Sequence, residues 1–245
     1  MKNLTLSIFL TLAVLLGTTG MSWGADFNKA VNAYESRDYT TALHEWTVLA
    51  EQGHAEAQAK LGGMYDDGFG VTQDYETAVK WFTLAAEQGN TTGQNRLGLM
   101  YTFGYGVEKN VEKGIELITL AAEQGDADAQ YNLGISYSEG SEIGIDVVED
   151  DSAAVMWFTL AAEQGMFLSQ WLLGEMLFSA KDYVSAYMWG RIADRSLGEE
   201  LRERAAHRSY GEELRERAAQ NMTASQIERA EALAQECIGK EYKNC

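Results

Sequence analysis

Residues 54–89 read HAEAQAKLGGMYDDGFGVTQDYETAVKWFTLAAEQG, and the close of this stretch returns along the chain. Ala-Glu-Gln-Gly stands at 50–53, 86–89, 122–125 and 162–165, three copies 36 residues apart and a fourth 40 further on. Between these anchors Gln58, Gln94, Gln130 and Gln170 correspond. Leu61, Leu97, Leu133 and Leu173 do too, each followed by Gly. Tyr65, Tyr101 and Tyr137 come four residues after the Leu, and Gly68-Phe69-Gly70-Val71 returns as Gly104-Tyr105-Gly106-Val107. A fixed period of this length marks a repeat architecture, whose units bury their apolar faces only by stacking on neighbours.

Each unit reads as two helices. In the first, Ala57, Leu61, Met64 and Tyr65 recur at helical spacing, the stripe of an amphipathic helix. A Gly-x-Gly turn follows, where glycine takes positive backbone angles without a steric cost. The second helix opens after Asp74, Asn110 or Asp150, residues suited to cap orphan N–H groups. It carries Ala78, Trp81, Phe82 and Ala85 on one face and ends at Gly89, which suits the left-handed position after a helix. Nothing alternates with a period of two, so no strand is expected. The repeated Gly after each Leu costs ~1 kcal/mol against Ala inside a helix; its recurrence predicts close backbone approach of neighbouring helices.

The pattern Ala-x-Ala-Gln-x-x-Leu-Gly-x-Met-Tyr, then Gly-x-Gly-Val, then Ala-x-x-Trp-Phe-x-x-Ala-Ala-Glu-Gln-Gly resembles the Sel-1-like repeat family, a branch of the tetratricopeptide-like solenoids. The resemblance covers about Ala25 to Ala193. It implies an all-α, right-handed superhelical solenoid of antiparallel helix pairs, used as a protein-interaction scaffold. The expected units are a helix pair at 25–53, repeats at 54–89, 90–125 and 126–165, and a degenerate repeat at 166–195. The third repeat has a four-residue acidic insertion, and its loop lacks the ligand alternation and fixed Gly of a calcium loop. The degenerate unit lacks the Gly-x-Gly turn, so its helix connection is expected to be tight. A 13-residue duplication fills 196–221 (Ser196–Ala206 echoed by Ser209–Ala219), so either the chain breaks near Gly211 or one copy is a solvated extension, the preferred reading. Residues 222–245 are expected to form a capping helix, opened by Thr223, and a tail.

Ahead of the repeats, residues 1–24 run from basic Lys2 through an apolar stretch, Leu4 to Leu16, to small residues before Ala25. That order reads as a secretory signal peptide cut after Gly24, with a cut after Ala25 as the alternative. An uncleaved anchor is the competing reading, weakened by Gly17-Thr18-Thr19-Gly20. A periplasmic or secreted location is therefore expected. The two cysteines, Cys237 and Cys245, are then expected to pair. A continuous helix would hold their Cα atoms ~12 Å apart, beyond bridging reach, so the helix should end at Gly239 and the tail fold back. A net charge of −18 repels phosphate backbones and anionic headgroups, so neither nucleic acid nor an anionic lipid surface is an expected partner, and with the signal removed no membrane span is expected.

No catalytic constellation emerges. His44, His54 and His207 are scattered, and no nucleophile elbow, P-loop or zinc motif occurs. Some cysteine-rich relatives in this repeat family hydrolyse β-lactams, but no Ser here has the Lys three residues on that such a mechanism needs. A non-enzyme without cofactor or metal is expected. The in-register aromatics Tyr65, Tyr101, Tyr137, Trp81, Trp157, Phe82 and Phe158 read as core. Residues that break the repeat on the outward side of the first helices are the candidate binding groove: Lys60, Asn95, Arg96, Leu99, Phe103, Tyr131, Asn132, Ile135 and Trp171. They suit a protein or peptide partner of the cell envelope. A structural component that binds glycan or self-assembles is the alternative, and cover by the C-terminal cap or a second copy is the competing account of these apolar residues.

Overall fold

The computed structural model describes residues 25–140, 150–196 and 210–245, and these contain helices and no strands. The signal-like segment, the acidic loop at 141–149 and the first copy of the duplication lie outside the described residues. The helices are α1 (Phe27–Glu35), α2 (Tyr39–Glu51), α3 (Ala55–Asp67), α4 (Tyr75–Glu87), α5 (Thr91–Phe103), α6 (Val111–Glu123), α7 (Ala127–Glu139), α8 (Asp151–Ala162), α9 (Phe167–Ser179), α10 (Tyr183–Ser196), α11 (Tyr210–Ala219) and α12 (Ala224–Gly239).

Polar caps start the helices where the sequence placed them. Asp74 and Asn110 accept from Thr77 N and Lys113 N, and Asp150 accepts from Ser152 N and Ala153 N, satisfying orphan donors of the first turn. His54, Asn90 and Asp126 cap the first helices in the same way, His54 through Nδ1. Gly68 and Gly104 end α3 and α5 with φ of 74° and 77°. The α9–α10 connection is the tight one expected, Ala180 to Asp182, with Lys181 in the left-handed region.

Each helix packs on the next through α1 to α10, and the first helices α3 and α5 also touch across a unit boundary. Ala57, Leu61, Met64, Phe82, Leu97, Ile118, Leu133, Phe158 and Leu173 are buried along the resulting core. The repeated glycine has a steric cause. A Cβ at Gly62 or Gly134 would sit 2.8 or 2.5 Å from the ring of Phe82 or Phe158. At Gly98 the ring is replaced by Ile118, and Gly114 stands where the other units have Ala78 and Ala154. The two backbones close there, and a Cβ would lie 2.8 Å from Gly114 O. Backbone approach thus explains Gly98, whereas a packed ring or Leu214 explains the other three.

A buried amide ladder ties units together. Gln58 and Gln130 donate to Ala50 O and Ala122 O of the preceding unit, and Gln170 donates to Ala162 O. Gln88, Gln124 and Gln164 donate in turn to Gln58, Gln94 and Gln130 at 2.7–2.8 Å. Ser196 takes the place of that donor in the last unit, and there Gln170 Oε1 and Ser196 Oγ are buried without a partner among the described residues.

At the C-terminal end α11 and α12 both dock on α10. The second copy of the duplication is packed into the core, so it is not the solvated one, and residues 197–209 of the first lie outside the described residues. Gly211 and Gly190 cross closely enough that a Cβ at Gly211 would lie 2.5 Å from Gly190 O, and Leu214 and Ala218 are fully buried. Gly211 is the second residue of α11. Thr223 and Gln226 form a capping box at the start of α12. That helix ends at Gly239, and the tail turns back to join Cys245 to Cys237 with Cα atoms 5.2 Å apart. Tyr242 packs against the core, and Cys245 N donates to Glu163 Oε1.

Candidate partner-binding cleft

Three first helices, α1, α3 and α5, enclose a cleft of about 350 Å³. Tyr34, Trp46 and Phe82 give it an aromatic lining, Ala59 and Gly63 keep it open, and Lys60, Arg96, Thr92, Glu35 and Asp67 supply its polar groups. The opening follows from small residues on α3: the space beside Gly63 is empty, since a Cβ there would meet nothing within 4 Å.

Arg96 is half exposed, and its ion pair with Asp66 is long, 3.9 Å. A contact of that length beside solvent contributes little, so the guanidinium retains donors for an incoming carboxylate. Burial pushes the Asp66 carboxyl above its usual range, with a further push from Asp67 and an opposing pull from Arg96. Burial likewise raises Tyr34, followed by the charge on Asp67. The cleft thus offers an apolar floor, two cations and two carboxylates within one small opening. It can seat one apolar side chain and hold the charged groups beside it. Among the described residues no group of three His, Cys, Asp or Glu side chains is placed to hold a metal ion.

The Sel1 repeat family model matches residues 55–90, 91–126 and 127–166. The chain carries three Sel1 repeats. The crystal structure of c5321, a protective antigen present in uropathogenic Escherichia coli strains and displaying an SLR fold, is similar with a TM-score of 0.68 and 33% identity. That match covers 83% of this chain and 42% of c5321, so this chain spans less than half of that protein. A Sel1 repeat protein from Oxalobacter formigenes gives 0.64 at 22% identity, over 86% of this chain and all of that one. The immunity protein Pa5087 from Pseudomonas aeruginosa gives 0.51 at 17% identity, over 84% and 83% of the two chains. These last two likenesses establish the fold alone. No curated protein sequence matches the chain.

Of the nine groove candidates in this Sel1-repeat chain, only Lys60 and Arg96 line the cleft. Asn95 is a correction. It is 4% exposed, and its Oδ1 accepts from Asn132 Nδ2 at 2.9 Å, so this pair links α5 to α7 rather than facing outward. Leu99 packs against the α6–α7 core, and Tyr131 and Ile135 against the α8–α10 core. Burial raises the Tyr131 hydroxyl pKa, with a smaller contribution from Glu139. Trp171 is half-covered: Tyr210 of α11 lies against its ring at 4.9 Å, in a shallow site shared with Glu175 and Arg217. Phe103 is 44% exposed and stacks on Tyr105 at the end of α5. Tyr34, Trp46 and Phe82 were missed as site residues. Tyr34 precedes the full repeats, and Trp46 and Phe82 carry the pattern of buried core.

Proposed function

We propose that this protein is an exported scaffold that binds a protein or an extended peptide, with the α1–α3–α5 cleft as its anchor. The Sel1 repeat is a scaffold fold typical of protein–protein interaction. The observation that carries the reading is the pairing of an aromatic floor (Tyr34, Trp46, Phe82) with half-exposed Arg96 and with Lys60. Aromatic and Arg residues are the ones in which interfaces concentrate binding energy. The fitting ligand segment carries an apolar side chain next to a carboxylate, the first entering the floor and the second meeting Arg96. Export is supported by the order of residues 1–24 and by the Cys237–Cys245 pair, a bond that persists in oxidising compartments. No helix among the described residues is long and apolar enough to cross a membrane.

The test is selection of a displayed random-peptide library on the immobilised wild-type protein, followed by affinity measurement on Arg96→Ala and Lys60→Ala. Selected peptides should bind the wild type and lose about tenfold or more on Arg96→Ala, the scale of a hot-spot contact. Binders that are indifferent to both substitutions, or no binders at all, would remove the cleft from the account.

A further inference from the structure

The second helices carry an apolar ridge on their free side. Leu84, Leu120 and Leu160 occupy one register position in α4, α6 and α8 and are 43%, 46% and 40% exposed. Met156, one turn before Leu160, is 49% exposed, whereas Lys80 and Glu116 fill its place in the two preceding units. An i, i+4 apolar pair therefore faces outward on α8 alone of the three.

The last unit shows what this face accepts. Counted from the capping residues Asp150 and Asp182, the equivalents of Met156 and Leu160 are Met188 and Ile192 of α10. Those two are 5% and 0% exposed. They are covered by α12, whose Ala234 and Cys237 share their cluster and whose Leu233 and Ile238 pack against it. The register position is the same in both units and only the cover differs: an amphipathic helix of the chain itself lies over α10, whereas the position on α8 is open.

Charge sets the character of an occupant. The exposed residues around the ridge on α6 and α8 include Glu112, Glu116, Glu123 and Asp151. The one cation there, Lys113, lies over the Tyr101 ring and donates to its hydroxyl. We infer that the Met156–Leu160 face, extended by Leu120, docks a basic amphipathic helix from a partner protein, laid on α8 as α12 lies on α10. This is helix-in-groove recognition through anchors one turn apart, steered by opposite charge, on a surface separate from the α1–α3–α5 cleft.

The test uses the full-length protein and a synthetic helix carrying the apolar stripe of α12 (Ile227, Ala230, Leu233, Ala234, Ile238) with lysines at its outward positions. Fluorescence anisotropy should show saturable binding to the wild type and at least a tenfold loss on Met156→Glu/Leu160→Glu, with circular dichroism and Tm unchanged. Arg96→Ala should bind the helix as the wild type does, which separates this surface from the cleft. No binding to the wild type would overturn the inference, as would equal binding by the double variant or by a lysine-matched helix with a scrambled stripe. Self-association of the wild type in sedimentation, abolished by the double variant, would assign the face to a second copy instead and equally overturn it.

Discussion

Two adjacent glycines in α3 and their counterpart in α5 show how a single Cβ is read by its surroundings. Gly98 would place a methyl 2.6 Å from Ile118 Cγ1 and 2.8 Å from Gly114 O, whereas Gly63 faces open space. The propensity gain from Gly to Ala is ~1 kcal/mol in either helix, but overpacking costs ~1–3 kcal/mol where backbones touch. Urea unfolding should therefore find Gly63→Ala neutral to stabilising by up to ~1 kcal/mol and Gly98→Ala destabilising. Asp66, the partner of Arg96, makes a pH-dependent contribution to stability. Its folded pKa lies above the ordinary carboxylate value because it is buried, then because Asp67 is near. Its contribution to stability is thus present below the unfolded value and lost as pH rises through the folded one. Asp66→Asn should melt higher than wild type at about pH 7 and show no such advantage at about pH 3, which thermal melts at the two pH values would measure.

The tail of α12 is held by one covalent bond and a few contacts. Glu241, Tyr242 and Asn244 all take positive φ, a conformation that non-glycine residues adopt at a cost. The disulfide closes a loop with a sequence separation of 8, for which the chain-entropy model gives at most ~2.5 kcal/mol. Reduction should lower stability by no more than that, and amide exchange should quicken in the last turn of α12 and around Tyr242 while α3 to α8 keep their protection. Helix boundaries and this closure were legible in the sequence because each rests on local chemistry: Asp74, Asn110 and Thr223 as caps, Gly68 and Gly104 as stops, and an eight-residue span too long for a helix to bridge. The outward face was legible only in part. Reading the outward side from the stripe of Ala57, Leu61, Met64 and Tyr65 assumes that one face is buried, but a first helix in a stack is contacted by its own second helix, the preceding unit and the next first helix. The position shared by Ala59 and Asn95 falls in that additional contact, and both are buried. Trp171 was similarly hidden by Tyr210, because the duplicated segment reads as charged and solvated although Gly211, Leu214 and Ala218 form its packed side.

On the scale of the molecule, each unit is supported by its neighbours, so the stack must end on something that is itself apolar on one side and polar on the other. Five full pairs precede that end, and the last of them has lost the Gln of the amide ladder: Ser196 stands there, with Gln170 Oε1 unpartnered among the described residues. The α9–α10 pair is therefore the one most dependent on cover from beyond. That cover comes from α11, through Leu214 beside Gly174 and the Gly190–Gly211 crossing, and from α12 over Met188 and Ile192. Ion pairs at the seam, Arg217 with Glu175 and Arg191 with Glu231, are partly exposed and contribute at most ~1 kcal/mol each, and in the pair of Arg215 with buried Asp194 desolvation offsets the attraction, so apolar burial carries the closure. A chain ending at Ser196 should then expose Met188, Trp189, Ile192 and Leu173 together. In such a chain hydrogen exchange should show α9 and α10 unprotected and α3 to α8 still protected, with association visible by size-exclusion chromatography. Leu214→Ala in the full chain should reproduce the loss at α9–α10 in milder form, costing ~2–5 kcal/mol. If the shortened chain stayed monomeric with α10 fully protected, the C-terminal pair would be an appendage, and the cover over Met188 and Ile192 would not be what the face requires.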